Sequence, residues 1–198
     1  MKLTERVGLL LFAFFTLSIF ILTACAVRTP VEQVSLSKVA QNLKYENIIF
    51  KEVTLASNLD SNIPTPIPIQ QCEMSAISYL SSKGIFKRVE KAAIVDEGEE
   101  NKNSYAEPTL FVESELTFLR IVSTAARVWG GVLVGRSAMK MNVKLKDAST
   151  GEIVAERELV GAPNAYSSAW TVGNADQTLP MKMGYLLGDF ILANVSRR

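Results

Sequence analysis

The sequence predicts a two-layer α+β domain: a mixed or antiparallel sheet with a long hairpin, packed by about two helices. Three observations predict it. Met139, Met141, Val143 and Leu145 alternate with Lys140, Asn142, Lys144 and Lys146, then meet the turn "DASTG" and a second β-rich run. Two stretches, 70–83 and 179–195, carry apolar residues at helical spacing. Short β-branched runs are interspersed with these helices, without an internal repeat.

The chain begins "MKLTERVGLLLFAFFTLSIFILTAC". Lys2 and Arg6 form a basic region, Val7–Leu22 an uncharged and mostly apolar run, and Leu22, Thr23 and Ala24 lead to Cys25. A basic region, a short apolar region and small residues define a secretory signal peptide. The apolar run is shorter than the ~20 residues that span a bilayer. With its cysteine, the pattern resembles the lipobox of bacterial lipoproteins. That resemblance implies recognition of Leu22, Thr23 and Ala24 by signal peptidase II, cleavage before Cys25, and diacylglycerol and a further acyl chain on Cys25. Ala26, in place of aspartate, implies sorting to the outer membrane, with the domain hanging in the periplasm. The expected division is 1–24 signal peptide, 25–44 lipidated N-terminus and tether, and 45–198 a single domain.

Composition narrows the chemistry. Without residues 1–24 the chain carries 19 basic and 19 acidic residues. Such a balance gives no electrostatic footprint for nucleic acid and no polybasic patch for anionic lipid. The absence of histidine removes Ser-His-Asp and Cys-His nucleophile systems and His-ligated metal sites. No cofactor and no metal site are expected. If Cys25 is a thioether, Cys72 has no partner in the chain, and its place on an apolar helix face predicts burial.

Along the domain, Asn47–Ala56 reads as a first strand. Pro64, Pro66 and Pro68 fall at every second position and predict an extended connection. Gln70–Lys83 reads as a helix with Ile69, Cys72, Ala76, Ile77 and Leu80 on one stripe, stopped by Gly84. Ile85–Val95 is a second strand candidate. Asp96, Glu97, Glu99 and Glu100 lack the spacing of a calcium loop and predict a solvated acidic segment. Thr109–Val122 is a long strand with Leu110, Val112, Leu116, Phe118 and Val122 on one face. Glu113 and Glu115 fall on its solvated face. In the hairpin, Lys146 is expected opposite Glu152 and Lys140 opposite Glu158, a register that leaves Arg157 among apolar positions. Ala162–Asp176 reads as a loop. Leu179–Val195 reads as a helix burying Leu179, Met183, Leu186, Leu187, Phe190 and Ile191.

The segment "GGVLVGRS", Gly130–Ser137, differs by one letter from the phosphate loop G-x-x-x-x-G-K-[ST]. A phosphate loop needs a helix after it, whose N-terminal N–H groups meet the anion. Here a strand pattern follows, and Arg136 replaces the lysine. Gly130, Gly131 and Gly135 therefore predict a bend or bulge entering a strand, with "VLV" extended. No nucleotide site is expected.

"STAARVWGGVLVGRSAMKMNVKLKDASTGEIV", the C-terminal helix and "YLSSKGIFKRVE" (Tyr79–Glu90) together resemble an uncharacterised family of bacterial lipoproteins, catalogued as domain of unknown function 4410. The likeness covers Leu110–Val195 and that earlier step. It implies an α/β module similar to the N-terminal domain of TolB-type envelope lipoproteins, acting in assembly or interaction and not as an enzyme. An envelope protein partner or a homo-oligomer is then expected. Trp129 and Trp170, in glycine- or serine-bearing segments, are candidate contact residues, with capping of the core as the alternative. A second functional reading is a small-ligand or glycan-binding lipoprotein whose pocket is lined by the same segments.

Overall fold

The computed structural model describes residues 43–92, 107–171 and 173–195. The stretch expected to be a signal peptide, Cys25, the expected tether up to residue 42 and the acidic segment at 96–100 lie outside the described residues. Among those described, the strands are β1 (Asn47–Phe50), β2 (Thr54–Ser61), β3 (Arg88–Lys91), β4 (Thr109–Arg120), β5 (Ala138–Asp147) and β6 (Ile153–Gly161). The helices are α1 (Pro66–Ser82), α2 (Thr124–Gly130), α3 (Ala165–Trp170), α4 (Asn174–Gln177) and α5 (Leu179–Asn194), with a 3₁₀ turn at Gly131–Val134.

The sheet runs β3-β1-β4-β5-β6, and β2 also pairs β4. Pairing is parallel around β1 and β2 and antiparallel from β4 to β6. This is the expected mixed α+β architecture. The first strand is divided in two. Asn47–Phe50 pairs the start of β4, and Thr54–Ser61 pairs its second half.

Helices α1 and α5 cover one sheet face. Leu110, Val112, Leu116, Met139, Met141, Val143 and Leu145 project from it onto Cys72, Ala76, Leu80, Met183, Leu187 and Ile191. The opposite face carries the alternating polar side chains. Glu113 there pairs with Lys146 at 2.6 Å and Lys51 at 3.7 Å. Asn142 donates to Glu115 at 3.3 Å.

Several expectations need correction. Pro66 and Pro68 belong to α1. The first-turn N–H groups of a helix have no intrahelical partner, so proline costs nothing there. Phe118 leaves the core face because β4 shifts register between Leu116 and Phe118. Leu119 takes the buried position opposite Met139. Leu186 is 39% exposed, one position off the stripe through Met183, Leu187 and Ile191. The hairpin register also differs. Asn142 faces Glu158, Lys140 faces Val160 and Lys146 faces Ile153, because β5 and β6 slip by a residue next to the turn. Lys144 then pairs with Glu156 at 3.2 Å, and Arg157 is exposed on an edge strand. Part of Ala162–Asp176 is helical, as α3 and α4.

The hairpin turn is held by Asp147. Its carboxylate accepts the Ser149 hydroxyl at 2.6 Å, the Ser149 and Thr150 N–H groups, and the Tyr45 hydroxyl at 2.9 Å. Burial alone would raise its pKa. The bonds from Ser149, Tyr45 and Thr150 outweigh burial and hold it at about 2. A depressed carboxylate contributes stability that is present above its unfolded value and lost as pH falls through the folded one. The shift corresponds to about 2 kcal/mol. Asp147→Ala is expected to lose that amount at neutral pH, and its stability is expected to fall less steeply than wild type between about pH 5 and pH 2. Urea titrations of both proteins across that range check this.

Cys72 is fully buried, with its thiol 3.8 Å from the Met141 sulfur. Burial, and secondarily the Glu73 charge, push it up to about 12. The thiolate is the nucleophile, so Cys72 is inert in the native state. Iodoacetamide followed by peptide mapping is expected to label Cys72 after denaturation and not before it.

Candidate interaction surface

The glycine segment and the two tryptophans meet beyond one end of the sheet. β4 ends at Arg120, and Ser123 opens α2 by accepting the Ala126 N–H at 3.2 Å. This is an ordinary serine N-cap. α2 ends in Trp129 and Gly130, and Gly131–Val134 tightens into the 3₁₀ turn, so "VLV" is not extended. β propensity is a weak preference. It is overridden here where Arg127 in α2 donates through Nη1 to the Gly131 carbonyl at 3.1 Å.

Two glycines bracket the turn. Gly131 has φ 51° with ψ −125°, and Gly135 has φ 88° with ψ −160°. A side chain is strained at both positions, so the glycines are there for backbone conformation. Gly130 is different. Its φ is −111°, but a Cβ there would run into the Val134 side chain. The expected bend into a strand is thus present as helix, 3₁₀ turn and glycine exit into β5. A phosphate loop has the reverse order.

The cap, α2 with its 3₁₀ turn and α3 with α4, is fixed from inside by a charged pair. Arg127 Nε donates to Asp176 Oδ2 at 2.7 Å and Nη2 to Oδ1 at 3.0 Å, and both side chains are fully buried. A bidentate guanidinium–carboxylate contact fixes orientation as well as distance. Burial would raise the Asp176 carboxyl. The Arg127 hydrogen bonds, and then Ser137, reverse this and hold it below its usual range. Ser137, itself buried, accepts the Val122 N–H at 2.9 Å and so ties the same spot to the end of β4. Gly173 lies against Thr124 and Arg127, where a Cβ would come within 3.3 Å of the Thr124 Cα.

Above this fixed interior the cap turns apolar side chains outward. Trp129 is 91% exposed, Leu133 91% and Trp170 87%, with Val128 at 60%. The tryptophans therefore do not cap the core. Of the candidate residues, Trp129, Gly130, Gly131, Gly135 and Trp170 belong to this one region, because α2, the 3₁₀ turn and α3 pack on one another. Leu22, Thr23, Ala24 and Cys25 lie outside the described residues. Sequence reading missed Leu133 and Val128, whose exposure follows from the 3₁₀ turn. It also missed the Arg127–Asp176 pair, whose members are 49 positions apart.

A separate shallow cleft of about 350 Å³ lies on the helix pair, lined by Ser78, Tyr79, Ser82 and Tyr185. The Tyr79 and Tyr185 rings are 5.6 Å apart, and the Tyr79 hydroxyl donates to Asp189 at 2.5 Å. Burial, and then Asp189, push Tyr79 up to about 12, so it stays a neutral donor. Neither tryptophan lines this cleft.

Among the described residues, no helix is long and apolar enough to cross a membrane. No protein-family model and no curated protein matches the chain. Solved structures do. A PelC dodecamer from Paraburkholderia phytofirmans matches at 17% identity over 79% of this chain and 91% of that one, with a TM-score of 0.47. A Xanthomonas campestris protein described under the DUF330 family model matches at 14% identity over 77% and 86%, with a TM-score of 0.49. A lipoprotein from Neisseria meningitidis matches at 11% identity over 73% and 97%, with a TM-score of 0.41.

Proposed function

We propose that the chain is a lipoprotein anchored through acylated Cys25 in the bacterial outer membrane, and that its periplasmic domain is a non-catalytic interaction module of the envelope. The observation that carries the interaction role is the cap: Trp129, Leu133 and Trp170 project into solvent from a segment fixed by a buried ion pair. Large aromatic side chains on a rigid support lose little conformational entropy on contact, which makes them good anchors. The signal-peptide pattern ending in Cys25 supports the anchor. Two acyl chains already give stable attachment, and a third makes release slower still.

A small-ligand or glycan-binding role asks for a concave site in which aromatic rings line a wall. The indoles of the cap project instead, which favours surface contact. On the alternative reading, the tyrosine cleft between Ser78 and Tyr185 is the place to look for sugar binding.

Two experiments test the proposal. Cys25→Ser is expected to accumulate as unprocessed precursor without lipid label, and normal processing and lipidation of that variant would end the anchor reading. Crosslinking of the native protein in intact envelopes, with mass spectrometry of the adducts, is expected to recover a defined envelope protein or a second copy of the chain. Recovery of neither would overturn the assembly role.

A further inference from the structure

We infer that the cap is a docking surface for an anionic lipid bilayer, holding the domain against the membrane in a fixed orientation. This goes beyond the protein-contact reading of the cap and rests on the Cys25 anchor proposed above, which brings the domain to the membrane. Three observations carry it.

The first is the shape of the surface. Trp129, Leu133 and Trp170 are each nearly nine-tenths exposed or more, so they protrude almost free of the protein's own surface. A folded protein partner would need a matching socket for each. The headgroup layer of a fluid bilayer closes around any wedge. Tryptophan, with an apolar body and a polar N–H, is enriched at that depth.

The second is charge. Overall neutrality conceals a local bias. Residues 120–137 and 161–178 contain Arg120, Arg127, Arg136 and a single acidic residue, Asp176. Arg127 and Asp176 neutralise each other in the interior. The charge left on the surface of these segments is therefore Arg120 and Arg136, both exposed and both cationic. Cations beside protruding aromatics fit an anionic headgroup surface. The expectation of no polybasic patch still holds, since two arginines are not a cluster. They suffice to orient a domain already tethered nearby.

The third is rigidity. The ion pair fixes α2, which carries Trp129, to α4; Gly173, between α3 and α4, lies against Thr124, and α3, which carries Trp170, packs on the 3₁₀ turn and on α4. The indoles can therefore enter the lipid together without prior ordering of a loop, which lowers the entropic cost of contact.

The chain contains two tryptophans, both on the cap, so emission excited at tryptophan and not at its five tyrosines reports this surface alone. The test uses the processed full chain in vesicles of phosphatidylethanolamine and phosphatidylglycerol, with and without bromine on the acyl chains near the headgroup. Trp129→Phe and Trp170→Phe each leave one reporter. Both indoles are expected to shift to the blue and to lose most of their emission in the brominated vesicles. Arg120→Gln with Arg136→Gln is expected to weaken docking of the cap about 25-fold, from roughly five-fold per arginine. Circular dichroism confirms that these surface variants fold. Indoles that keep water-exposed, unquenched emission on a vesicle-bound chain overturn the inference, as does equal quenching in vesicles lacking phosphatidylglycerol. A photocrosslinker at position 129 that captures protein and not lipid also overturns it. The mass of the Cys25 peptide separates the two readings. An acylated chain with unquenched indoles defeats lipid docking alone, and an unacylated chain with quenched indoles defeats the anchor alone.

Discussion

Asp176→Ala is expected to destabilise the protein by about 3–5 kcal/mol, because it leaves the Arg127 guanidinium buried without a counter-charge. The loss should appear first in the cap. Hydrogen exchange of residues 124–134 and 173–177 is expected to speed up more than that of β4 and β5, and the urea midpoint to fall. Removing both charges is expected to be far milder. The pair is expensive to desolvate, so Arg127→Met with Asp176→Leu should recover most of the stability. The recovery is incomplete because the Gly131 carbonyl loses its donor. A single variant as stable as wild type would show that the pair does not hold the cap. Acid has a related effect. The Asp176 carboxyl is depressed in the folded state, so its contribution is present above its unfolded value and lost as pH falls through the folded one. Arg127 stays charged throughout, so no loss is expected on the alkaline side.

Gly184→Ala is expected to cost about 2 kcal/mol, against the usual trend for a glycine inside a helix. Alanine in place of glycine favours a helix by roughly 1 kcal/mol. Here the new methyl would sit on the Cys72 carbonyl oxygen and lie 2.7 Å from the Ser75 Cβ and 2.9 Å from the Ala76 nitrogen. Two of those three atoms are backbone, so α1 and α5 would have to move apart. Overpacking a tight interior costs about 1–3 kcal/mol and occasionally more. A backbone clash belongs at the upper end, so the clash outweighs the propensity gain. Gly188 provides the comparison. A Cβ there would meet the Tyr79 ring, which can swing aside at the expense of its bond to Asp189. Gly188→Ala is therefore expected to be nearly neutral, because a lost hydrogen bond of about 1 kcal/mol is offset by the propensity gain. Thermal and urea unfolding of the two variants check the order, and equal losses would show that the contact is not set by the backbone.

The parts legible in the sequence were those with a short-range pattern. The β5 alternation, the Asp147–Gly151 turn and the α1 stripe through Cys72, Ala76 and Leu80 all appear where periodicity places them. Errors arose where one local preference had two outcomes. Proline stiffens an extended segment, yet it also fits the first turn of a helix, as Pro66 and Pro68 do. A one-residue slip moved Phe118 to the other face of β4 and shifted the charge pairs of the hairpin. Gly184 and Gly188, four apart beside Met183, Leu187 and Ile191, did carry a readable signal of close helix contact. The cap could be anticipated in its tryptophans and in Gly130, Gly131 and Gly135. What fixes it is a contact between distant residues that no local pattern encodes.

The sheet's connectivity also dictates an order of assembly. β4, β5 and β6 are consecutive and join through local antiparallel pairing, so they can form early. β1 cannot, because both its neighbours come later: β3, where Arg88 pairs Asn47, and then β4, whose Asn47–Thr109 contact spans 62 positions. A chain that emerges N-terminus first exposes Asn47–Phe50 before either neighbouring strand exists to pair with it. During that interval Ile48, Ile49 and Phe50, all buried in the finished sheet, stand open to other chains. Folding of the emerging chain is therefore a race between the arrival of β3 and β4 and aggregation.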